Sequence, residues 1–215
     1  MKRSLLTLIV FAASSWSQAK EPVSPVRARM QAFVKEKVIS GSVTTIATKD
    51  KMLSLETVGY ADLKTKEAMR PDHLFWIASM TKPMASVCVL QLQEEGKLSI
   101  EDPVEKHLPE FKGQWMIEKR EGGKLILKRA ERAITIRDLL THTSGVANTG
   151  TPRHESTLGE LVMSYSKTPL NFEPGSKWSY SNAGINTLGR IVEVVSGLLF
   201  AQILQQRVLD PCGMK

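Results

Sequence analysis

The chain has 215 residues, with 29 Lys and Arg against 22 Asp and Glu, for a formal net charge of +7. This length is enough for a domain with a real hydrophobic core. The excess of positive charge does not indicate a nucleic-acid partner, because the densest basic cluster, residues 119–132, also contains Glu121 and Glu131. Two cysteines form no disulfide framework. We expect Cys88 to be a small core residue, and its pairing with Cys212 stays open.

Residues 1–19 have the pattern of a secretory signal peptide. Lys2 and Arg3 precede an apolar run over 5–13, and small residues follow up to a predicted cleavage site after Ala19. The run is far shorter than the roughly 20 residues that cross a bilayer. We therefore expect a secreted or periplasmic protein without an integral membrane segment after cleavage.

The remaining elements follow from hydrophobic periodicity and turn residues. The pattern predicts a helix over 25–38, a hairpin of strands 42–48 and 52–60, a polar loop over 61–73, and a helix over 79–95 that ends at Gly96. It then predicts a hairpin over 115–129 that turns at Gly122-Gly123. Thr135 is predicted to cap a helix over 136–140 with Asp138 in its first turn, and a helix over 157–166 follows. The last predicted helices cover 183–195 and 198–208, with Gly197 as the break between them. Residues 146–155 have the composition of a mobile loop.

The helix over 79–95 is the central element of this interpretation. Its side chains are apolar almost all round, so we expect it to be buried. A strand-like or turn segment that we expect to be buried precedes it, and Ser79 begins it, with Lys82 one turn later. Residues three apart share a helix face, so the amine can reach the hydroxyl. A partly desolvated lysine can activate a serine, which makes Ser79 a candidate nucleophile.

The Ser-x-x-Lys pattern alone is weak evidence, because it occurs three times. Ser17 and Lys20 flank the predicted cleavage site. Ser164 and Lys167 lie near the end of a predicted helix, where the helix dipole opposes negative charge. Without further motifs, an ordinary helix-capping serine would be the better interpretation of Ser79.

A second motif, Tyr180-Ser181-Asn182, lies just before the helix predicted over 183–195. A tyrosine near Lys82 would feel the positive charge, which favours a phenolate or a shared proton. Asn182 would supply an amide that orients Lys82 and a substrate carbonyl. Taken alone, the motif is better explained by a half-buried tyrosine and an asparagine that caps the helix.

Together the two motifs resemble those of the serine β-lactamase and penicillin-binding superfamily. The similarity is closer to the class C β-lactamase branch, which includes family VIII carboxylesterases and D-aminopeptidases. It extends over nearly all of the chain that follows the signal, and its further segments are 59–62, 75–82, 96–98, 102–104, 136–145 and 172–175.

The resemblance implies an α+β fold of the β-lactamase/transpeptidase type: an antiparallel sheet flanked by helices plus a mostly helical region. It implies that Ser79 is the acyl-enzyme nucleophile, that Lys82 and Tyr180 transfer protons, and that Asn182 binds substrate. The backbone N–H of Ser79 would supply half of an oxyanion hole. The family's third motif, Lys- or His-x-Gly, and its C-terminal strands have no counterpart before Lys215. We therefore expect residues 20–215 to form a hydrolase domain that is truncated at the C-terminus.

Other chemistries have weaker support. A Ser-His-Asp hydrolase would need a Gly-x-Ser-x-Gly elbow, which the sequence lacks. His142, beside Ser144, is interpreted as a turn residue, and His73, His107 and His154 as surface residues. Metal ligands at useful spacing, a phosphate loop and a dinucleotide fingerprint are missing, so we expect no metal and no cofactor.

The substrate is a small molecule: an ester, an amide, a β-lactam or a D-amino-acid peptide. These share one acylation chemistry, and pocket shape decides among them. The alternative function is that of a non-catalytic family member used for binding or assembly. The oligomeric state stays open.

Overall fold

The computed structural model describes residues 24–149 and 156–214. The predicted signal peptide, the Ser17–Lys20 pair and His154 lie outside the described residues. The chain divides into two compact units, Met1–Trp76 and Ile77–Lys215.

The described part of the first unit, residues 24–76, contains one helix and a small sheet. Helix α1, Pro25–Lys35, begins at Ser24, whose Oγ accepts a hydrogen bond from the Arg27 N–H. It ends before the predicted residue 38, because Lys37 has a φ of 60° and a left-handed residue cannot continue a right-handed helix. The helix packs on the second strand of the sheet.

The sheet is antiparallel, with strands β1 (Gly41–Ala47), β2 (Met52–Asp62) and β3 (Glu67–Ala68) in that order. The predicted hairpin is confirmed as β1–β2, whereas β3 falls in the segment predicted to be a loop. Gly59 has a φ of 72°, and a Cβ there would lie 2.3 Å from the Ser40 carbonyl oxygen. A side chain at position 59 would therefore clash with the backbone of the chain that enters β1.

The segment just before the candidate nucleophile differs from the prediction. Residues 73–77 have no regular secondary structure, and Trp76 is 93% exposed. The expectation of a buried segment was wrong. Apolar composition set that expectation, but it does not determine burial when no neighbouring element covers the residues.

The second unit begins with a single 3₁₀ turn, Ala78–Met80, which runs into helix α2, Thr81–Glu94. Pro83 lies in the first turn of α2, and Gly96 ends it with a φ of 68°, as predicted. Its burial is one-sided, because Val87 and Leu90 are each 42% exposed. The buried face of α2 consists of Ala85, Cys88, Val89 and Leu92.

The middle of the second unit contains short elements. Helix α3, Val104–His107, was not predicted. The predicted hairpin is confirmed as β4, Trp115–Glu121, and β5, Lys124–Arg129. Helix α4, Ile136–Leu140, has the expected Thr135 cap.

Helices α5 (Leu158–Ser166), α6 (Asn182–Ser196) and α7 (Phe200–Leu204) follow, and a π-helical turn over Gln205–Leu209 extends α7. Gly197 ends α6 with a φ of 74°, as the sequence predicted. Helix α6, rather than α2, is the central helix of this unit, because it packs against α2, α3, α4, α5 and α7. In the described part of the chain no single helix has the length and hydropathy to cross a membrane. Within residues 24–149 and 156–214, one pair of helices, α6 and the segment Phe200–Leu209, passes that test when taken together, with a bend of 84° between them.

Two histidines depart from the sequence interpretation, and the structure shows the state of both cysteines. His107 is not a surface residue, because its imidazole packs on Asp102 with 3.0 Å between Nε2 and Oδ2 and a side-chain exposure of 9%. His73 is also largely covered, with its ring 3.1 Å from Glu67. Both cysteines are free, Cys88 buried and Cys212 exposed.

A buried carboxylate fixes the N-terminus of α4. Asp138 accepts hydrogen bonds from both terminal nitrogens of Arg132, and from the backbone and hydroxyl of Thr135. It also accepts one from the hydroxyl of Thr143, in the turn that follows α4. Burial raises the pKa of Asp138, but the bonds from Arg132 and then Thr135 outweigh it and hold the pKa below its usual range.

We expect Asp138→Ala to destabilise the protein by about 3 kcal/mol, because it leaves several donors without their acceptor. Since the pKa of Asp138 is lower in the folded state, this contribution is present above the unfolded carboxyl pKa of about 3.9. It is lost as the pH falls further, through the folded pKa. Urea unfolding at pH 7 and pH 3 measures both effects. Glu101→Ala, which removes an exposed ion pair with Arg137, is the matched control and should cost less than about 1 kcal/mol.

Candidate active site

Ser79 lies in the middle of the 3₁₀ turn that precedes α2. It does not cap the helix, since the residue at the cap position of α2 is Met80, without a side-chain bond. The preceding residue, Ala78, has a φ of 43°, a left-handed conformation that costs a non-glycine residue of the order of 1 kcal/mol. Strained backbone of this kind is common at functional sites. The interpretation of Ser79 as an ordinary capping serine is therefore not supported.

Three of the predicted site residues meet at one oxygen atom. The Lys82 ammonium donates to Ser79 Oγ over 2.9 Å, and the Tyr180 hydroxyl donates to the same oxygen over 2.6 Å. The ammonium also lies 4.8 Å from the centre of the Tyr180 ring. Tyr180 is 101 residues from Ser79 in the sequence, so this contact depends on the packing of α2 against α6.

The electrostatic environment favours the ionised form of Tyr180. Its pKa is lowered first by hydrogen bonding to Lys82 and then by hydrogen bonding to Ser79, which together outweigh a small opposing effect of burial. A phenol with a lowered pKa loses its proton more readily and can take one from a neighbouring hydroxyl. The arrangement thus places a candidate base against a candidate nucleophile.

The segment before α6 is anchored on both sides of Tyr180. Ser181 is buried, and its Oγ accepts from the Gly184 N–H as the N-cap of α6. The same hydroxyl donates to the Val146 carbonyl over 3.1 Å. The cap is therefore Ser181 and not Asn182, because Asn182 already lies in the first turn of the helix.

Asn148 holds this segment from the opposite side, and the sequence did not identify it. Its side-chain nitrogen donates to the Tyr180 carbonyl over 3.1 Å, and its side-chain oxygen accepts from the Ala183 N–H over 3.0 Å. The neighbouring Ser144 and Val146 are buried. Residues 146–149 have no regular secondary structure, as predicted for a loop, but hydrogen bonds tie them to the Tyr180 segment. Residues 150–155 lie outside the described residues.

Asn182 is not part of the hydrogen-bonded cluster of Ser79, Lys82 and Tyr180 in the described structure. No direct hydrogen bond joins it to Lys82 among the described residues, so the expected orientation of Lys82 by Asn182 is not observed. Both residues line a cavity of about 190 Å³ between α2 and α6, whose walls are mainly apolar. An amide at the edge of an apolar cavity is suited to binding a polar group of a ligand.

The other Ser-x-x-Lys pair makes a different set of contacts. The Ser164 hydroxyl donates to the Leu161 carbonyl within the last turns of α5. This agrees with the expectation that only Ser79 is suitably placed. The residues described in the structure contain no group of three or more side chains that could hold a metal ion.

Comparison with known proteins gives the family. Residues 26–215 match the family model described as Beta-lactamase. The chain is 35% identical over 193 residues to Protein Rv1367c of Mycobacterium tuberculosis, covering 82% of this chain and 47% of that protein. It is 31% identical over 198 residues to Esterase EstB of Burkholderia gladioli, covering 85% and 47%. The structure resembles EstCE1, described as a hydrolase with promiscuous acyltransferase activity, with a TM-score of 0.75 and 28% identity over 88% of this chain and 51% of that one.

The fold is thus that of the serine β-lactamases and transpeptidases, with antiparallel sheets and helices, as the sequence predicted. The chain belongs to the β-lactamase family, a hydrolytic family whose members act on ester, amide or β-lactam bonds. Further relatives are penicillin-binding proteins of Bacillus subtilis. The chain spans about half the length of the curated relatives it matches first.

Proposed function

We propose that the protein is a serine hydrolase that acts through an acyl-enzyme on a small ester, amide or β-lactam substrate. The observation that carries the proposal is the convergence of Lys82 Nζ and Tyr180 Oη on Ser79 Oγ, at 2.9 and 2.6 Å. A nucleophile within hydrogen-bond reach of a base, with a third group beside the base, is the general arrangement for covalent catalysis.

In the proposed acylation step, the Tyr180 phenolate takes the proton of Ser79 as Oγ attacks the substrate carbonyl carbon. The adjacent Lys82 ammonium stabilises the negative charge of the Tyr180 phenolate before the proton moves from Ser79 to Tyr180. The tetrahedral intermediate carries the charge on the former carbonyl oxygen, which the Ser79 N–H in the 3₁₀ turn before α2 would stabilise. Collapse breaks the bond to the leaving group, which receives from Tyr180 the proton that came from Ser79.

Deacylation repeats these transfers with water. Tyr180 removes a proton from the water molecule, whose oxygen attacks the acyl carbon, and the proton then returns to Ser79 Oγ as the ester bond breaks. Asn182 would bind the substrate carbonyl or amide from the edge of the cavity that it shares with Lys82.

Among the three kinds of substrate, we propose an ester first. The reason is that an esterase and a hydrolase are among the similar proteins, at 31% and 28% identity. Stopped-flow hydrolysis of p-nitrophenyl butyrate, a chromogenic cephalosporin and D-alanine p-nitroanilide tests this. We expect a burst of p-nitrophenol close to one equivalent of protein, which is the kinetic evidence of an acyl-enzyme. Turnover that persists unchanged in Ser79→Ala would refute the mechanism. A folded protein without turnover of any of the three would favour the binding function instead.

We further propose that the protein is exported and that its signal peptide is cleaved after Ala19. The pattern of residues 1–19 supports this proposal.

A further inference from the structure

His142 contacts the Tyr180 segment through both its backbone and its ring. It lies in the turn after α4, where its carbonyl accepts from the Ser179 N–H over 2.9 Å. Its Nδ1 accepts from the Ser181 N–H over 3.2 Å. The two donors flank Tyr180 in the sequence, so a single residue fixes the backbone on both sides of the tyrosine.

The imidazole also packs on the phenol ring. The ring centres of His142 and Tyr180 are 4.7 Å apart with an angle of 33° between the planes. Trp178 meets the imidazole edge-on, with centres 6.0 Å apart and an angle of 83°. Aromatic contacts of this geometry favour a defined orientation. The stack therefore limits the directions in which the Tyr180 hydroxyl can point.

The backbone of His142 is held in an unfavourable conformation. Its φ is 61°, in the left-handed region that glycine occupies freely and that Asn, Asp and His enter more often than other residues. Hydrogen bonds of the adjacent Thr143 hold the turn, because its N–H donates to the Asp138 carbonyl and its own carbonyl accepts from the Gly175 N–H. A histidine at a strained position whose side chain is bonded to the candidate site indicates that the side chain has a use there.

We propose that His142 is a positioning residue that holds the Tyr180 hydroxyl on Ser79. The proposal rests on the role assigned above to Tyr180. The imidazole is neutral, with its lone pair on Nδ1 facing the Ser181 N–H and its hydrogen on Nε2. Protonation at Nδ1 replaces the acceptor with a donor, which breaks the bond to Ser181 and loosens the segment that carries Tyr180.

The surroundings keep His142 neutral at neutral pH. The titratable groups that face it are Lys82 from α2 and Tyr180 from the segment before α6. Burial, and then the positive charge of Lys82, lower the pKa of His142 below its ordinary value of about 6.5. The Tyr180 geometry should therefore fail only in acid, below the pH at which an ordinary histidine gains its proton.

Two substitutions distinguish the role of the His142 side chain from that of its backbone. His142→Asn and His142→Gly both tolerate a left-handed φ, so neither is expected to strain the turn. Both substitutions remove the ring that packs on Tyr180. Asparagine keeps an oxygen acceptor near the position of Nδ1, whereas glycine removes the acceptor as well. Circular dichroism first establishes that both variants are folded.

The first readout is the titration of Tyr180 by NMR of ¹³C-labelled tyrosine, with Tyr180→Phe for assignment. The pKa of Tyr180 should stay lowered in wild type and His142→Asn, and should return toward the ordinary value of about 10 in His142→Gly. An unchanged pKa in the folded glycine variant would overturn the proposal. Ring ¹⁵N shifts that show hydrogen on Nδ1 at pH 7 would overturn it as well.

The second readout is the rate at which a fluorophosphonate labels the protein. We expect a loss of about tenfold in His142→Gly, the size of effect that one to two hydrogen-bond contacts produce, and a rate within about threefold of wild type in His142→Asn. Equal losses in both variants would contradict positioning through the hydrogen bond between Nδ1 and the Ser181 N–H. If even the wild type is not labelled, the proposed function fails, while the tyrosine titration still decides whether His142 positions Tyr180.

Discussion

Replacing Ser79 by alanine should abolish covalent modification of the protein by a fluorophosphonate or a penicillin, a loss of at least about 10³-fold in acylation rate. The reason is that Ser79 Oγ is the atom on which both Lys82 and Tyr180 converge. Intact mass spectrometry after a fixed exposure measures the fraction of protein that carries the adduct. The adduct should be absent from Ser79→Ala at every time point.

The chain contains a matched control for this experiment. Ser164 is also followed by a lysine three residues later, but its hydroxyl is bonded to the backbone of α5. Ser164→Ala should be labelled at the wild-type rate. Equal labelling of Ser79→Ala and wild type would show that another group is the nucleophile.

Tyr180→Phe should lower the acylation rate by about 10²–10⁴-fold, the usual contribution of a positioned acid–base group. The substitution removes the hydroxyl that lies 2.6 Å from Ser79 Oγ, but it keeps the ring that packs on His142. The labelling rate, measured against pH, tests the chemistry as well as the magnitude. In wild type the rate should rise with pH through the lowered pKa of Tyr180, because the deprotonated phenol is the active base.

In Tyr180→Phe this rising limb should disappear together with most of the rate. Tyr60→Phe is the control, since Tyr60 lies in β2 and belongs to the first unit. It should leave both the rate and its pH dependence unchanged. A Tyr180→Phe variant whose labelling rate still rises with pH as in wild type would exclude the phenol as the base. Lys82 would then be the candidate base.

Sequence reasoning succeeded where the determining interaction is local. Thr135 was correctly placed as a helix cap, because a threonine followed three residues later by an acid satisfies the first backbone N–H groups of the helix. The helix predicted to start at Thr157 begins one residue later, with Thr157 as its cap. Gly197 was correctly placed at a helix end, since it needs a left-handed backbone. The contact of Lys82 with Ser79 follows from helical spacing alone.

The sequence was less informative about features of the structure that depend on burial and on long-range contacts. Helix α2 has the more uniformly apolar sequence, yet α6 is central, because centrality depends on how many elements pack on a helix and not on its composition. The pairing of Tyr180 with Ser79 could be expected only from the resemblance to a family. No local pattern relates residues that are 101 positions apart.

His142 and Asn148 were missed as parts of the site for the same reason. Asn148 acts through side-chain bonds to the backbone around Tyr180, more than 30 residues away. His142 was interpreted as a turn residue, which its left-handed backbone supports, but its ring contact with Tyr180 has no sequence signal. One sequence feature could have suggested a role for His142 in the site. It follows a helix end, where glycine or asparagine is usual.

The most direct test of the account is to locate the adduct in the folded wild-type protein. After exposure to the fluorophosphonate, proteolysis and tandem mass spectrometry would identify the modified residue. The account predicts one adduct per chain, on Ser79, at a rate that Ser164→Ala leaves unchanged. An adduct on a different residue, or no adduct in protein that circular dichroism shows to be folded, would contradict the claim that Ser79, Lys82 and Tyr180 form a working nucleophilic site.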